Sequence, residues 1–163
     1  MKTTDTHVYF WNGIYSNWDN CHFTDPKSCI RFQNSEQAFM WYKAAFFDDE
    51  ETKKLIEYTP NPKQVKQLGR QVKKYNDETW NTIRFENMVY VNELKFSQNP
   101  HYGKALLNTE NRIIVEASPY DKIWGVGLLE DDPLILDEKN WKGLNLLGKA
   151  LMDVRSKMNK IFA

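Results

Sequence analysis

Ser35-Glu36-Gln37-Ala38-Phe39-Met40-Trp41-Tyr42-Lys43-Ala44-Ala45-Phe46-Phe47 reads as one helix with almost no polar face. Asn34 or Ser35 supplies the oxygen of an N-cap, and no proline or glycine interrupts the run. A surface helix normally keeps about half its circumference polar. Here only Glu36, Gln37 and Lys43 break a surface of aromatic and aliphatic side chains. Most of the circumference of this helix is therefore expected to be buried. The fold class that follows is mainly α: a compact multi-helical single domain with a few short β-strands.

Working outward, His7-Val8-Tyr9-Phe10-Trp11 is rich in strand formers and ends at the turn signal Asn12-Gly13. The stretch 16–34 is polar and contains Pro26, and reads as irregular. A second helix spans about 49–58 and stops at Thr59-Pro60-Asn61-Pro62, where proline removes a donor. Asn61 caps a third helix that begins at Pro62 and reaches about Val72. Asp77 is expected to cap a long fourth helix to about Phe96, with Trp80, Ile83, Val91 and Leu94 near one face. Pro100 opens a short helix through Leu107, Ile113-Ile114-Val115 is a strand, and 118–140 reads as loop. A last helix from about Gly143 carries Leu144, Leu147, Leu151, Val154, Met158 and Ile161 at spacings of three and four, a buried stripe.

The chain of 163 residues has the size of one domain, taken here as 1–163. Its 22 basic and 22 acidic residues cancel, which argues against a protein whose main task is to coat nucleic acid. Brief contact with a nucleic acid during catalysis stays open. Cys21 and Cys29 have no Cys or His pair at metal spacing beside them and read as free thiols of a reducing compartment. No apolar run has the length of a signal peptide or a membrane span, so the chain is expected to be soluble and cytoplasmic, with no membrane partner. Most of the six Trp, eight Tyr and nine Phe are expected in the core, and a surplus of Trp beside polar clusters also suits stacking on a planar ring such as a nucleobase.

Glu36 and Lys43 lie seven positions apart, within about 20° of the same helix face and about 10 Å apart along the axis. Opposite charges on an apolar stripe imply a lined cavity or a desolvated pair, and burial shifts such groups toward the pKa values that catalysis uses. The bland alternative is a carboxylate on the helix dipole and a lysine that reaches for water. A second cluster, Glu116-Ala117-Ser118-Pro119-Tyr120-Asp121-Lys122-Ile123-Trp124-Gly125-Val126-Gly127, sets a carboxylate three residues before an indole and then two glycines. Such a loop brings backbone close to a ligand, or merely plugs the core with Trp124.

An ordered series joins these segments: Tyr15-Ser16-Asn17-Trp18, Ser35-Glu36-Gln37-Ala38 with Lys43-Ala44, Leu68-Gly69-Arg70, Trp80, and Leu94-Lys95-Phe96. It continues with Leu106-Leu107-Asn108-Thr109, Val115-Glu116, Asp121 through Trp124-Gly125 to Gly127, Gly143 with Asn145, Leu147 and Gly148, and Leu151-Met152 with Val154-Arg155. In this order the chain resembles the NADAR family, over nearly its whole length. The resemblance implies a compact, mainly helical fold and hydrolysis of an N-glycosidic bond at a phosphorylated ribose. One branch of the family cleaves ribosylamino-pyrimidine phosphates of riboflavin synthesis; another removes ADP-ribose from guanine bases of nucleic acid. The first typically reads Ser-Glu-His and then Gln-x-x-Lys-Phe. Here Gln37 replaces the His, Lys43-Ala44 replaces Lys-Phe, and a longer stretch with Trp141 separates Gly127 from Gly143, departures that look more like the ADP-ribose branch.

Cleaving a ribose N-glycoside requires charge stabilisation at the anomeric carbon and protonation of the departing base, for which Glu36 and Asp121 are the candidates. Lys43 is the candidate nucleophile for a Schiff base, since an apolar face favours the neutral amine. Trp124 is the expected ring platform and Trp80 a second one. Arg70 and Lys95 are candidates for the phosphate. Gly125 and Gly127 offer backbone amides, and Asn145 would hold loop or ligand at the start of the last helix. No cofactor and no metal are expected. A non-catalytic ADP-ribose-binding module is the alternative from another class; it has no need of Glu36 and Lys43 together.

Overall fold

The computed structural model describes residues 1–162. Its elements are β1 (Lys2–Thr3), β2 (His7–Phe10), β3 (Phe23–Asp25), β4 (Ile30–Phe32), α1 (Ser35–Phe46), α2 (Glu50–Glu57), α3 (Pro62–Gly69), α4 (Asp77–Gln98), α5 (Pro100–Leu107), β5 (Ile113–Glu116) and α6 (Leu146–Phe162). Two short 3-10 helices, Pro133–Leu136 and Glu138–Asn140, lie in the stretch expected to be loop throughout. The fold is mainly α with short strands. It consists of two compact units, one of residues 17–99 and the other of 1–16 with the chain from Pro100 onward.

In the contiguous unit α1 is the hub, packed against α2, α3 and α4. Asn34 caps it, its side-chain oxygen accepting from the Gln37 N–H at 2.8 Å. Gln37, one of the few polar residues of this helix, donates to the carbonyls of Ile56, Glu57 and Thr59 and accepts from the Gln33 N–H. One buried amide thus ties α1 to carbonyls at and just after the end of α2. The stretch 16–34 is more regular than its sequence promises. β3 and β4 pair antiparallel, with Phe23 opposite Phe32, and these two rings join Ala38 of α1 and Val91 of α4 in a buried cluster. Asp25 ends β3 fully buried, accepting from the hydroxyls of Tyr42, Tyr90 (2.5 Å) and Ser28 (2.7 Å) and from the Lys27 and Ser28 N–H groups. Burial alone would raise its pKa, but the Tyr42, Tyr90, Ser28 and Lys27 donors together hold it below the ordinary 3.8.

Three boundaries differ from the expected ones. α6 begins at Leu146 rather than near Gly143, because Asn145 takes a left-handed backbone (φ 54°). α3 ends at Gly69 rather than near Val72, where a side chain would run into Met40 of α1. Asn76, not Asp77, caps α4: its extended backbone turns the side-chain oxygen onto the Thr79 N–H at 2.9 Å, and Asp77 becomes the first helical residue.

In the other unit β2 sits between β1, antiparallel, and β5, parallel, with His7 opposite Ile113. α6 packs on β5. Gly148 makes this possible, because a Cβ there would come 2.0 Å from the Ile114 carbonyl oxygen. Leu147, Leu151, Val154 and Met158 form the buried stripe expected of α6, whereas Leu144, which precedes the helix, and Ile161 near its end are exposed. Neither cysteine is in a disulfide, Cys21 being buried and Cys29 exposed. Among the described residues no helix is long and apolar enough to cross a membrane.

Candidate functional site

In the contiguous unit three candidate residues come together. Glu36 begins α1, its N–H bonded to the Asn17 carbonyl at 3.0 Å, and is only 7% exposed. Lys43, two turns on, is half-buried. Its Nζ donates to the Gly69 carbonyl at 2.8 Å and lies 4.5 Å from the centre of the Tyr75 ring. Burial pushes its pKa below the ordinary 10.5; Glu36 and Asp77 oppose that shift, and Arg70 adds to it. Lys43 therefore sits among two carboxylates, one guanidinium and an aromatic face: burial and Arg70 favour the neutral amine, while the carboxylates and the ring face favour the ammonium.

The loop from Arg70 to Asn76 supplies two of these neighbours, Arg70 and Tyr75, and it is pinned. The Asp49 carboxylate caps α2 through the Thr52 N–H with one oxygen and accepts the Lys73 N–H at 2.8 Å with the other. The Tyr75 hydroxyl donates to Asp77 at 2.7 Å, and its ring meets Phe47 edge-on at 5.4 Å. Sequence reasoning missed Tyr75 because nothing in Lys74-Tyr75-Asn76 marks it. Lys74 has positive φ (61°), and that bend helps to set where the ring falls.

Two other candidates in this unit lie in the interior. Trp80, 5% exposed, packs against Phe39, Phe46 and Phe47 and is a core ring, not a platform. Lys95 is 0% exposed, so no part of its side chain lies at the surface to meet a phosphate. Burial lowers its pKa to about 8 against the opposing charges of Cys21 and Asp19. Nothing local in the mixed sequence of α4 marks this burial, since a lysine near a helix end normally reaches outward.

In the other unit Asp121 organises its own turn. Its Oδ1 accepts from the Ile123 and Trp124 N–H groups at 2.9 and 2.8 Å, while its own N–H is bonded to Ser118 Oγ. Trp124 is half-buried. Gly125 is required by close packing, because a Cβ would sit 2.8 Å from the Ser118 Cβ and 2.9 Å from the Asp121 carbonyl oxygen. Gly127 holds a positive φ of 75°. Asn145, itself in the left-handed region, donates to the Ile114 carbonyl at 2.9 Å and accepts from the Glu116 N–H at 3.0 Å, so it holds loop to strand. Trp141 donates to the Ile135 carbonyl and packs beside the cluster of Tyr9, Val115 and Val126. Among the described residues no three His, Cys, Asp or Glu side chains converge to hold a metal ion.

Comparison with known proteins bears on what these groups do. The model of the NADAR domain matches residues 9–159. The chain belongs to the NADAR family. It is 39% identical to an N-glycosidase of Acanthamoeba polyphaga mimivirus, over 93% of this chain and 96% of that protein. It is 27% identical to a riboflavin biosynthesis protein of Vibrio vulnificus, over 94% of this chain but 39% of that longer protein. The NMR structure of YbiA from E. coli superposes with a TM-score of 0.79 at 24% identity, covering 98% of this chain and 89% of that one, which establishes the fold. As a NADAR protein with N-glycosidase relatives, the chain is a hydrolase acting on N-glycosyl bonds.

Proposed function

We propose that this hydrolase removes ADP-ribose from guanine bases of nucleic acid, with Lys43 as nucleophile. The observation that carries the reading is the Lys43 amine itself, lodged against the Gly69 carbonyl and under the Tyr75 ring with Glu36 in its field. Opening of the ribose ring, with a proton delivered to the ring oxygen, leaves an imine between the anomeric carbon and the guanine nitrogen. Neutral Lys43 adds to that carbon. Proton transfer to the guanine nitrogen breaks its bond to the sugar and leaves the lysine Schiff base. Water then adds to the Schiff base, the amine departs, and the freed aldehyde recloses as ADP-ribose. Glu36 is the carboxylate assigned to these proton transfers, and Arg70 of the same unit is the assigned ligand-binding cation. Contact with nucleic acid is transient on this reading, in keeping with the balanced charge of the chain.

Gln37 supports the choice of branch. Its amide shares two N–H donors among three carbonyls and accepts from one N–H, whereas the neutral histidine usual in the riboflavin branch has a single N–H to donate. The similarity to the Vibrio vulnificus protein favours a second reading, hydrolysis of a ribosylamino-pyrimidine phosphate. Turnover of ADP-ribosylated guanine oligonucleotide and of the pyrimidine riboside phosphate, measured side by side, separates the two. Lys43→Ala and Glu36→Gln are expected to abolish release of ADP-ribose with the fold intact by circular dichroism. Borohydride added during turnover is expected to leave a sugar adduct on Lys43, seen by peptide mass mapping. An active enzyme with no such adduct removes the Schiff base and leaves direct attack by water.

A further inference from the structure

α3 carries a stripe of cations with no carboxylate in its first turn. Lys63, Lys66 and Arg70 follow at spacings of three and four, so they line one face over about 10 Å. The Arg70 N–H is bonded to the Lys66 carbonyl at 3.2 Å, so helical geometry persists to the end of the stripe. At that end Arg70 acts on the Lys43 amine. Partway along the stripe, the Lys66 Nζ stands 6.0 Å from the centre of the Trp18 ring, within cation–π range. Trp18 is 44% exposed although it is a large indole, and the Asn17 carbonyl beside it ties this turn to the N–H of Glu36. Asp19, the next carboxylate, acts on the buried Lys95 amine. The order is thus amine, guanidinium, ammonium, indole.

We propose that this face binds the adenosine diphosphate half of ADP-ribose: Trp18 stacks on the adenine, and Lys66 and Arg70 contact the diphosphate. The inference rests on the reading of the substrate as an ADP-ribosyl adduct and adds the subsite that selects it. The order of groups from the Lys43 amine of α1 past the α3 cations to Trp18 repeats the order along the ligand, from reacting ribose through diphosphate to base. A riboside monophosphate has neither the second phosphate nor the adenine, so this face discriminates against it. An indole is the side chain of choice for a stacked purine, and the ammonium beside it meets the phosphate charge.

Calorimetric titration of the full chain with ADP-ribose, ADP and ribose 5-phosphate tests the subsite. Wild type is expected to bind ADP-ribose and ADP, and ribose 5-phosphate more weakly. Trp18→Ala is expected to weaken the first two by about 5- to 150-fold, the range for loss of one stacked base, and to leave ribose 5-phosphate unchanged. Trp18→Phe retains most of the affinity. Lys66→Ala weakens ADP and makes its binding less sensitive to salt. An unchanged melting temperature in Trp18→Phe guards against a folding artefact. Wild-type affinity for ADP-ribose in Trp18→Ala, with cleavage of the guanine adduct intact, overturns this subsite alone. A wild type that neither binds ADP-ribose nor cleaves the adduct overturns the reading beneath it.

Discussion

Replacing Tyr75 by leucine isolates one contact of the Lys43 amine. The ring stands 4.5 Å from Nζ with its face toward the charge, and such a contact is worth about 0.5–2 kcal/mol to the ammonium form. At about 1.4 kcal/mol per pKa unit, its loss lowers the Lys43 pKa by about 0.4–1.5 units. Leucine keeps apolar bulk over the amine, so water does not simply replace the ring. The other groups facing Nζ stay in place: Glu36 on α1, the Gly69 carbonyl and Arg70 at the end of α3, and Asp77 at the start of α4. Attack requires the neutral amine, so a lower pKa makes the active form available at lower pH. The acidic limb of the kcat/KM profile is expected to move down by that amount in Tyr75→Leu. Tyr75→Phe keeps the ring, gives up only the bond to Asp77, and is expected to stay within a few tenths of a unit of wild type. A limb that stays put or moves upward in Tyr75→Leu refutes either the contact or the role of Lys43 as the titrating group.

Asp25→Asn removes the charge that three hydroxyls and two backbone N–H groups converge on, and is expected to cost about 2–4 kcal/mol in urea unfolding at pH 7. The folded pKa of Asp25 is depressed, so its contribution is complete above the unfolded value near 4 and drains away as pH falls through the folded one; the gap between wild type and variant should narrow in melts near pH 3. Asn145→Ala leaves the Ile114 carbonyl and the Glu116 N–H without their partner and strains a left-handed backbone, an expected loss of about 2–5 kcal/mol. Asn145→Gly relieves only the strain and should recover about 1 kcal/mol of it in the same melts. Gly148→Ala drives a methyl into the Ile114 carbonyl and the Asn145 amide, neither free to move, and is expected to cost about 3 kcal/mol or more by thermal melting.

Much of the helical framework was legible because each helix announces itself locally. Asn34, Asp49 and Asn61 cap α1, α2 and α3, Pro62 and Pro100 start their helices, and the stripe Leu147, Leu151, Val154, Met158 repeats at helical spacing. The β3–β4 hairpin was not legible. Its stability comes from Phe23 and Phe32 meeting Ala38 and Val91, and from Tyr42 and Tyr90 reaching Asp25, contacts that depend on residues far along the chain. Within the candidate site the apolar surface of α1 did point to Glu36 and Lys43. Tyr75 enters through the pinning of its loop by Asp49, a tertiary effect with no local signature. Trp80 and Lys95 misled for the converse reason: residue type advertised a ligand contact, and the packing of α4 enclosed them.

The parallel pairing of β2 with β5 bears on the order of assembly. His7 must find Ile113 across more than a hundred intervening residues, among which the contiguous unit 17–99 is complete in itself. On a ribosome, residues 17–99 emerge before β5 exists, so β2 waits as a four-residue strand with no parallel neighbour. This non-local ladder is expected to form late, since closing so long a loop costs entropy before the pairing repays it. In a nascent chain stalled before residue 113, protease protection should therefore be confined to the inserted segment. Circular permutation that joins the two termini and opens the chain near Ser16 would bring the halves of the split unit into a single continuous stretch.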